Sequence, residues 1–151
     1  MGKRILFVEG DPLIVQAVNS MLEAMGHEVR LETSGADALA AFSRRPADYD
    51  LIIADVGMPD ISGLLLVDRF LKMRADITIL LLATTEGQAQ SRARENGVRW
   101  FGMKPLALAE LAETVKSALL PVPSDVFIPV AAVEAGLHEE IIIKHDVKVS
   151  S

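Results

Sequence analysis

Four short stretches carry side chains whose types suit one chemistry: Glu9-Gly10-Asp11, Asp55-Val56-Gly57-Met58-Pro59, Thr84-Thr85 and Lys104-Pro105. Each directly follows an apolar run. Asp55 is the centre of the set, because the run ahead of it ends on this one carboxylate and a Gly/Pro turn follows at once. A carboxylate at such a position can act as a nucleophile and form an acyl phosphate. A second carboxylate beside it repels it by about 3 kcal/mol at a separation near 5 Å and an effective dielectric near 20. Such a pair invites a hard dication, and Mg²⁺ suits one or two carboxylates completed by waters and phosphate oxygens. An ammonium (Lys104) and a hydroxyl (Thr84) supply the remaining donors for a phosphoryl group.

These residues need a scaffold that brings distant strand ends to one rim. Ile5-Leu6-Phe7-Val8 and Leu51-Ile52-Ile53-Ala54 carry no polar side chain, so both read as buried strands. Residues 78–83 read as another apolar strand, and residues 98–103 as the fifth strand. Residues 27–33 alternate apolar and charged, which suits an edge strand with one wet face. Between the strands come helix signals. Asp11-Pro12 is an N-cap followed by a proline at the first helical position. The helix it opens carries Leu13, Val15, Val18, Met21, Leu22 and Met25 inward and stops at Gly26. Ser34 caps a helix over 35–45. Ser62 caps another reaching about residue 74, with Leu65, Val67, Phe70, Leu71 and Met73 as its apolar set. Residues 86–96 read as a polar helix. Residues 106–120 form the fifth, with Leu108, Leu111, Val115 and Leu119 inward.

The pattern is (βα)5, an α/β fold with a parallel sheet covered on both faces. The edge character of the second strand fits the doubly wound, flavodoxin-like order 2-1-3-4-5. In that order Glu9, Asp55, Thr84 and Lys104 share the carboxyl rim. Residues 1–120 form this domain. Residues 121–151 form an appendage: prolines 121, 123 and 129 mark a linker, and the alternation over 140–149 reads as a short β extension, set in a hairpin with 126–130.

Composition bounds the rest. The chain has 151 residues, half of them hydrophobic and 24% charged, which is ordinary for a globular protein. It has no cysteine, which excludes disulfides and thiolate chemistry. A net charge of −6 argues against direct nucleic-acid binding. No apolar stretch is long enough for a membrane span or a signal peptide, so the expected location is cytoplasmic. His27, His138 and His145 are isolated and read as neither ligands nor bases. Trp100 reads as packing or partner surface, and Arg92, Arg94 and Glu95 as a wet helix face.

Over residues 3–120 the sequence resembles the receiver domain of two-component response regulators. The resemblance rests on Ile5 to Pro12, on Asp55-Val56-Gly57-Met58-Pro59 with Gly63, on Ala83-Thr84-Thr85, and on Lys104-Pro105, in that order and each at a strand end. It implies that Asp55 is the phosphoacceptor and that Lys104, joined to Pro105 by a cis bond, pairs with the phosphoryl group. Thr84 is the hydroxyl that moves toward the phosphate, and Phe101 is the aromatic switch. Glu9, Asp55 and the Gly57 carbonyl are implied ligands of Mg²⁺. A histidine kinase or phosphotransfer protein is the implied donor. The output is protein–protein contact with a downstream partner or in a homodimer. Any catalysis is limited to accepting and hydrolysing the chain's own phosphoryl group.

Three positions depart from the family pattern. Gly10 stands where the second acid of the metal pair belongs, and the adjacent Asp11 reads first as a helix cap and only secondarily as a metal ligand. Thr85 replaces the usual alanine, and Phe101 the commoner tyrosine. Gly10 therefore supports a rival expectation, a pseudo-receiver that binds partners with little or no Mg²⁺-dependent phosphorylation. A flavin-binding, flavodoxin-like protein is disfavoured, because Glu9-Gly10-Asp11-Pro12 would repel a phosphate where such proteins need a Ser/Thr/Gly-rich loop.

Overall fold

In the computed structural model the described residues are 2–83, 94–95, 97–104 and 107–120, with the backbone alone at 103 and 128–129. Among the described residues six parallel strands form one sheet in the order β2-β1-β3-β4-β5-β6. They are β1 (Arg4–Val8), β2 (Glu28–Glu32), β3 (Leu51–Asp55), β4 (Ile79–Ala83), β5 (Trp100–Met103) and β6 (Ile128–Pro129). The first five follow the expected order 2-1-3-4-5. The helices are α1 (Pro12–Ala24), α2 (Gly35–Arg44), α3 (Gly63–Met73) and α4 (Leu108–Ala118). Of the helix expected over 86–96, only Arg94 and Glu95 are described, both helical and exposed.

The central strands are apolar on both faces because both faces are covered. Leu6, Val8, Ile52, Ala54, Leu81 and Phe101 pack with Ala38, Phe42, Leu66 and Phe70 of α2 and α3. Their alternating neighbours Ile5, Phe7, Leu51, Ile53, Leu80 and Trp100 pack with Val18 and Leu22 of α1 and Leu111 and Val115 of α4. Trp100 is therefore core, and its buried indole N–H has no hydrogen-bond partner. At the opposite edge, β2 keeps Glu28 and Arg30 toward water while Val29 and Leu31 pack inward.

Local chemistry starts the helices where the sequence puts them. The side chains of Asp11, Ser34 and Ser62 accept from the backbone N–H groups of Leu13, Asp37 and Leu65, each closing the first turn of its helix. Helical phase is less legible. α3 buries Gly63, Leu66, Val67 and Phe70, and leaves Leu65 and Met73 exposed. The run Leu64-Leu65-Leu66-Val67 is apolar at every position, so it cannot by itself announce which face turns inward. Leu13 and Leu108, expected inward, are 78% and 44% exposed. Each lies in the first turn of its helix, at the rim where the strands have ended, so little of the sheet lies beneath it.

In the appendage two residues are described, and they extend the main sheet. The backbone of Ile128 and Pro129 pairs in parallel with β5, in the register Trp100↔Ile128 and Phe101↔Pro129. A parallel return needs a crossover of a dozen or more residues, and α4 supplies it. The strand expected over 140–149 lies outside the described residues.

Candidate functional site

Strand register gathers the site. Val8 pairs with Ala54, Asp55 with Leu82 and Ala83 with Met103, so the strands β1, β3, β4 and β5 end together. Glu9 is the first residue beyond β1, Asp55 the last of β3, and Lys104 the first beyond β5. The ladder continues briefly past the strand ends: Val56 N–H donates to the Leu82 carbonyl at 2.8 Å and Lys104 N–H to the Ala83 carbonyl at 2.6 Å. These bonds fix the backbone from which the functional side chains project.

The three side chains meet. Lys104 Nζ lies 2.6 Å from Glu9 Oε2 and 3.4 Å from Asp55 Oδ2. Glu9 is almost fully buried, with side-chain exposure of 2%, against 10% for Lys104 and 14% for Asp55. Its other oxygen, Oε1, accepts from Asp11 N–H at 3.2 Å. Asp55 Oδ1 accepts from Gly57 N–H at 3.1 Å. One ammonium thus faces two carboxylates, leaving one negative charge over, in a cleft where low exposure makes charge pairing stronger than at an open surface.

The loop after Asp55 is closed tightly. Gly63 N–H donates to the Val56 carbonyl at 3.0 Å. A Cβ on Gly63 would stand 2.4 Å from Val56 Cα, so only glycine lets α3 begin this close to the strand end. Position 10 is the opposite case. A Cβ there would meet only the Thr33 carbonyl oxygen, at 3.8 Å. Nothing in the fold requires Gly10 to lack a side chain.

The residues present supply a minimal set for Mg²⁺. Glu9 and Asp55 offer two carboxylates, which is enough for an ion that keeps several waters. Among the described residues no cluster of three His, Cys, Asp or Glu could hold a metal. Asp11 commits Oδ1 to the Leu13 N–H at 2.9 Å, the capping role. Phe101 is buried, 2% exposed, on the α2–α3 face of β5. Thr84, Thr85 and Pro105 lie outside the described residues. Sequence reasoning passed over Asp60, whose carboxylate accepts from Gly35 and Ala36 N–H groups at 2.9 and 3.0 Å. The only available signal was an acidic residue in the Asp55 loop.

Beside the site, a groove of about 250 Å³ runs between α1 and α4, lined by Leu13, Ile14, Ala17, Leu108, Leu111 and Lys104 among others. A slightly larger hollow of about 290 Å³ lies at the amino-terminal edge of the sheet, remote from Asp55. There Arg4 pairs with Glu28 and Asp48, and Arg45 with Asp48. Among the described residues no helix is long and apolar enough to cross a membrane.

Comparison with known proteins agrees with this geometry. The family model for the response regulator receiver domain matches residues 5–116. The polar-differentiation response regulator DivK of Brucella anthropi is 32% identical over 124 residues, covering 79% of this chain and 98% of DivK. The transcriptional regulator NtrC of Azospirillum brasilense is 35% identical over 116 residues, which is 76% of this chain but 24% of NtrC. The chain likewise spans 7% of the hybrid signal transduction histidine kinase L of Dictyostelium discoideum. It therefore covers less than a quarter of several relatives it matches. Among solved structures, the non-phosphorylated HemR receiver domain of Leptospira biflexa superposes with a TM-score of 0.75 at 28% identity, covering 80% of this chain and 98% of that one. A CheY-like receiver domain from Methanospirillum hungatei gives 0.73 at 26% identity, covering 79% and 94%. With the strand order, the rim and the matched span in agreement, the chain belongs to the response regulator receiver domain family of two-component signalling.

Proposed function

We propose that this chain is a phosphorylation-dependent switch in which Asp55 accepts a phosphoryl group from a histidine kinase or a phosphotransfer protein. The observation that carries this reading is the Asp55 carboxylate at a strand end with the Lys104 ammonium 3.4 Å away. An Asp55 oxygen attacks phosphorus in line, the new P–O bond forms as the donor's P–N bond breaks, and the departing imidazole takes up a proton. Lys104 offers positive charge to the equatorial oxygens and shifts from Glu9 toward the acyl phosphate as it does so. The Gly57 N–H steadies the carboxylate before attack. Glu9, Asp55 and the Gly57 carbonyl would hold Mg²⁺, which when bound neutralises phosphoryl charge.

Thr84 and Phe101 are assigned the switch. The hydroxyl follows the phosphate, and the ring repacks with it, changing the surface around β5 and α4 that a downstream protein or a second copy reads. The groove between α1 and α4 opens beside Lys104, so a donor helix seated on Leu13 and Leu108 would bring its histidine to Asp55. This reading takes residues 1–120 as the receiver and 121–151 as an extension, and places the protein in the cytoplasm.

Gly10 favours a second reading, a pseudo-receiver that signals by binding alone. Beryllofluoride separates the two. With Mg²⁺, the phosphorylation reading expects a shifted amide spectrum around Asp55 and Lys104 that Asp55→Asn abolishes. An unchanged spectrum at high millimolar Mg²⁺ supports the pseudo-receiver.

A further inference from the structure

The loop between Asp55 and α3 is anchored to an element that carries no part of the phosphoryl site. Asp60, in that loop, places Oδ1 2.9 Å from Gly35 N and Oδ2 3.0 Å from Ala36 N, so one carboxylate spans the first two N–H groups of α2. Ser34 Oγ takes the third, from Asp37, at 3.1 Å. Helix starts leave such donors open, and a negative group there is favoured by the helix dipole. The same hydrogen bonds hold the Asp60 carboxyl below the usual carboxylate range, the Ala36 N–H contributing most. The approach is close. A Cβ on Gly35 would come within 3.2 Å of Asp60 Oδ1 and 3.0 Å of Ile61 Cβ, so the loop rests where a side chain on α2 would be. Met58 of the loop is buried in the core that α2 and α3 share, and Ile61 packs against it.

The loop is therefore held at three points: at Val56 by Gly63 N–H, at Asp60 by α2, and at Ser62 by its own cap on α3. Gly57 lies between the first two, and its N–H donates to Asp55 Oδ1. α2 has its own cap in Ser34. The tie through Asp60 joins positions 24 and 25 residues apart, so what it adds chiefly is a constraint on the loop.

We propose that Asp60 is a positioning residue for Asp55: by bridging the start of α2 it fixes the 56–62 loop and keeps Gly57 beside the reacting carboxylate. The inference rests on Asp55 as phosphoacceptor, and deepens that reading by naming what holds its loop in register. Small displacements of a reacting group cost large factors in rate, so the effect on transfer exceeds the effect on folding.

The test compares Asp60→Ala and Asp60→Asn with Ser34→Ala in the full chain. Ser34→Ala removes a cap from the same helix without touching the loop. Two quantities are read: the rate of phosphoryl uptake from a small acyl phosphate with Mg²⁺, followed by mass, and the hydrogen exchange of the Gly57 amide. Asp60→Ala is expected to slow uptake by about tenfold or more and to speed Gly57 exchange. Asp60→Asn, which keeps one acceptor oxygen, falls between and guards against a poorly folded alanine variant. Ser34→Ala is expected to lower the melting temperature while leaving both quantities near the parent's. The proposal is overturned if Asp60→Ala leaves both unchanged, or if Ser34→Ala alters them equally. Should the parent chain take up no phosphoryl group, the Asp55 reading fails, and Gly57 exchange alone then decides whether Asp60 positions the loop.

Discussion

Lys104 Nζ stands 2.6 Å from Glu9 Oε2, closer than its 3.4 Å approach to Asp55 Oδ2. The ammonium therefore rests on the buried acid and leans toward the reactive one. That arrangement leaves the Asp55 carboxylate only loosely paired and keeps a cation at hand for incoming phosphoryl charge.

The pair should be visible in stability. Lys104→Met leaves Glu9 buried without its cation and is expected to cost about 3 kcal/mol or more in unfolding free energy, because breaking a buried pair from one side strands the other charge. Adding Glu9→Gln in the same chain should return much of that loss. Denaturant titration of the two single variants and the double variant measures the coupling. Additive losses would mean that the two groups do not act as a pair.

Position 10 should set metal affinity. The space beside Gly10 accepts a side chain, since an added Cβ approaches nothing nearer than 3.8 Å. Gly10→Asp is expected to tighten Mg²⁺ binding by about tenfold, or about 1.4 kcal/mol, as a third carboxylate joins Glu9 and Asp55. Calorimetric titration of both chains checks this. Equal affinities would place the ion away from Glu9 and Asp55.

The start of α3 should not tolerate a methyl group. Gly63→Ala sets Cβ 2.4 Å from Val56 Cα, a backbone atom that cannot swing away. Overpacking of this kind costs about 1–3 kcal/mol, and here the strain falls on the residue after Asp55. A lowered melting temperature together with slower phosphoryl uptake is expected. A stable variant with unchanged uptake would show that the loop yields freely.

His27 should make stability depend on pH. Burial holds its ring below the ordinary histidine value of 6.5, Lys3 adds to the effect, and Asp50 opposes it. The Lys3 N–H donates to Nδ1 at 3.1 Å, which needs that nitrogen unprotonated. The fold thus favours the neutral ring, and the unfolded chain binds the proton more readily. This contribution is fully present above pH 6.5 and is lost as pH falls through the lower value in the fold. The melting temperature should drop between pH 7 and 5, and His27→Gln should flatten that slope. An equal slope in both chains would remove His27 as the cause.

What the sequence makes legible is what local chemistry decides. Asp11, Ser34 and Ser62 act as caps because a short oxygen-bearing side chain satisfies open N–H groups within its own first turn. β1, β3 and β4 announce themselves because strands buried on both faces need apolar residues throughout. The parts that stayed hidden depend on distant elements. Nothing near Asp60 says that its carboxylate meets Gly35 and Ala36. Leu13 has the spacing of a core residue and is exposed because its turn of helix reaches past the sheet. The preference of Lys104 for Glu9 over Asp55 depends on where β1, β3 and β5 end relative to one another, a matter of register. Ile128 and Pro129 join β5 because a helix of suitable length brings them back, a pairing their own pattern does not announce.

Every step of the proposed switch depends on Asp55 accepting a phosphoryl group. Intact-mass measurement of the full chain, incubated with a small acyl phosphate and millimolar Mg²⁺, tests it most directly. One added phosphoryl group is expected, absent from Asp55→Asn and slowed in Lys104→Met. An unmodified mass at every Mg²⁺ concentration, or an addition that persists in Asp55→Asn, would contradict it.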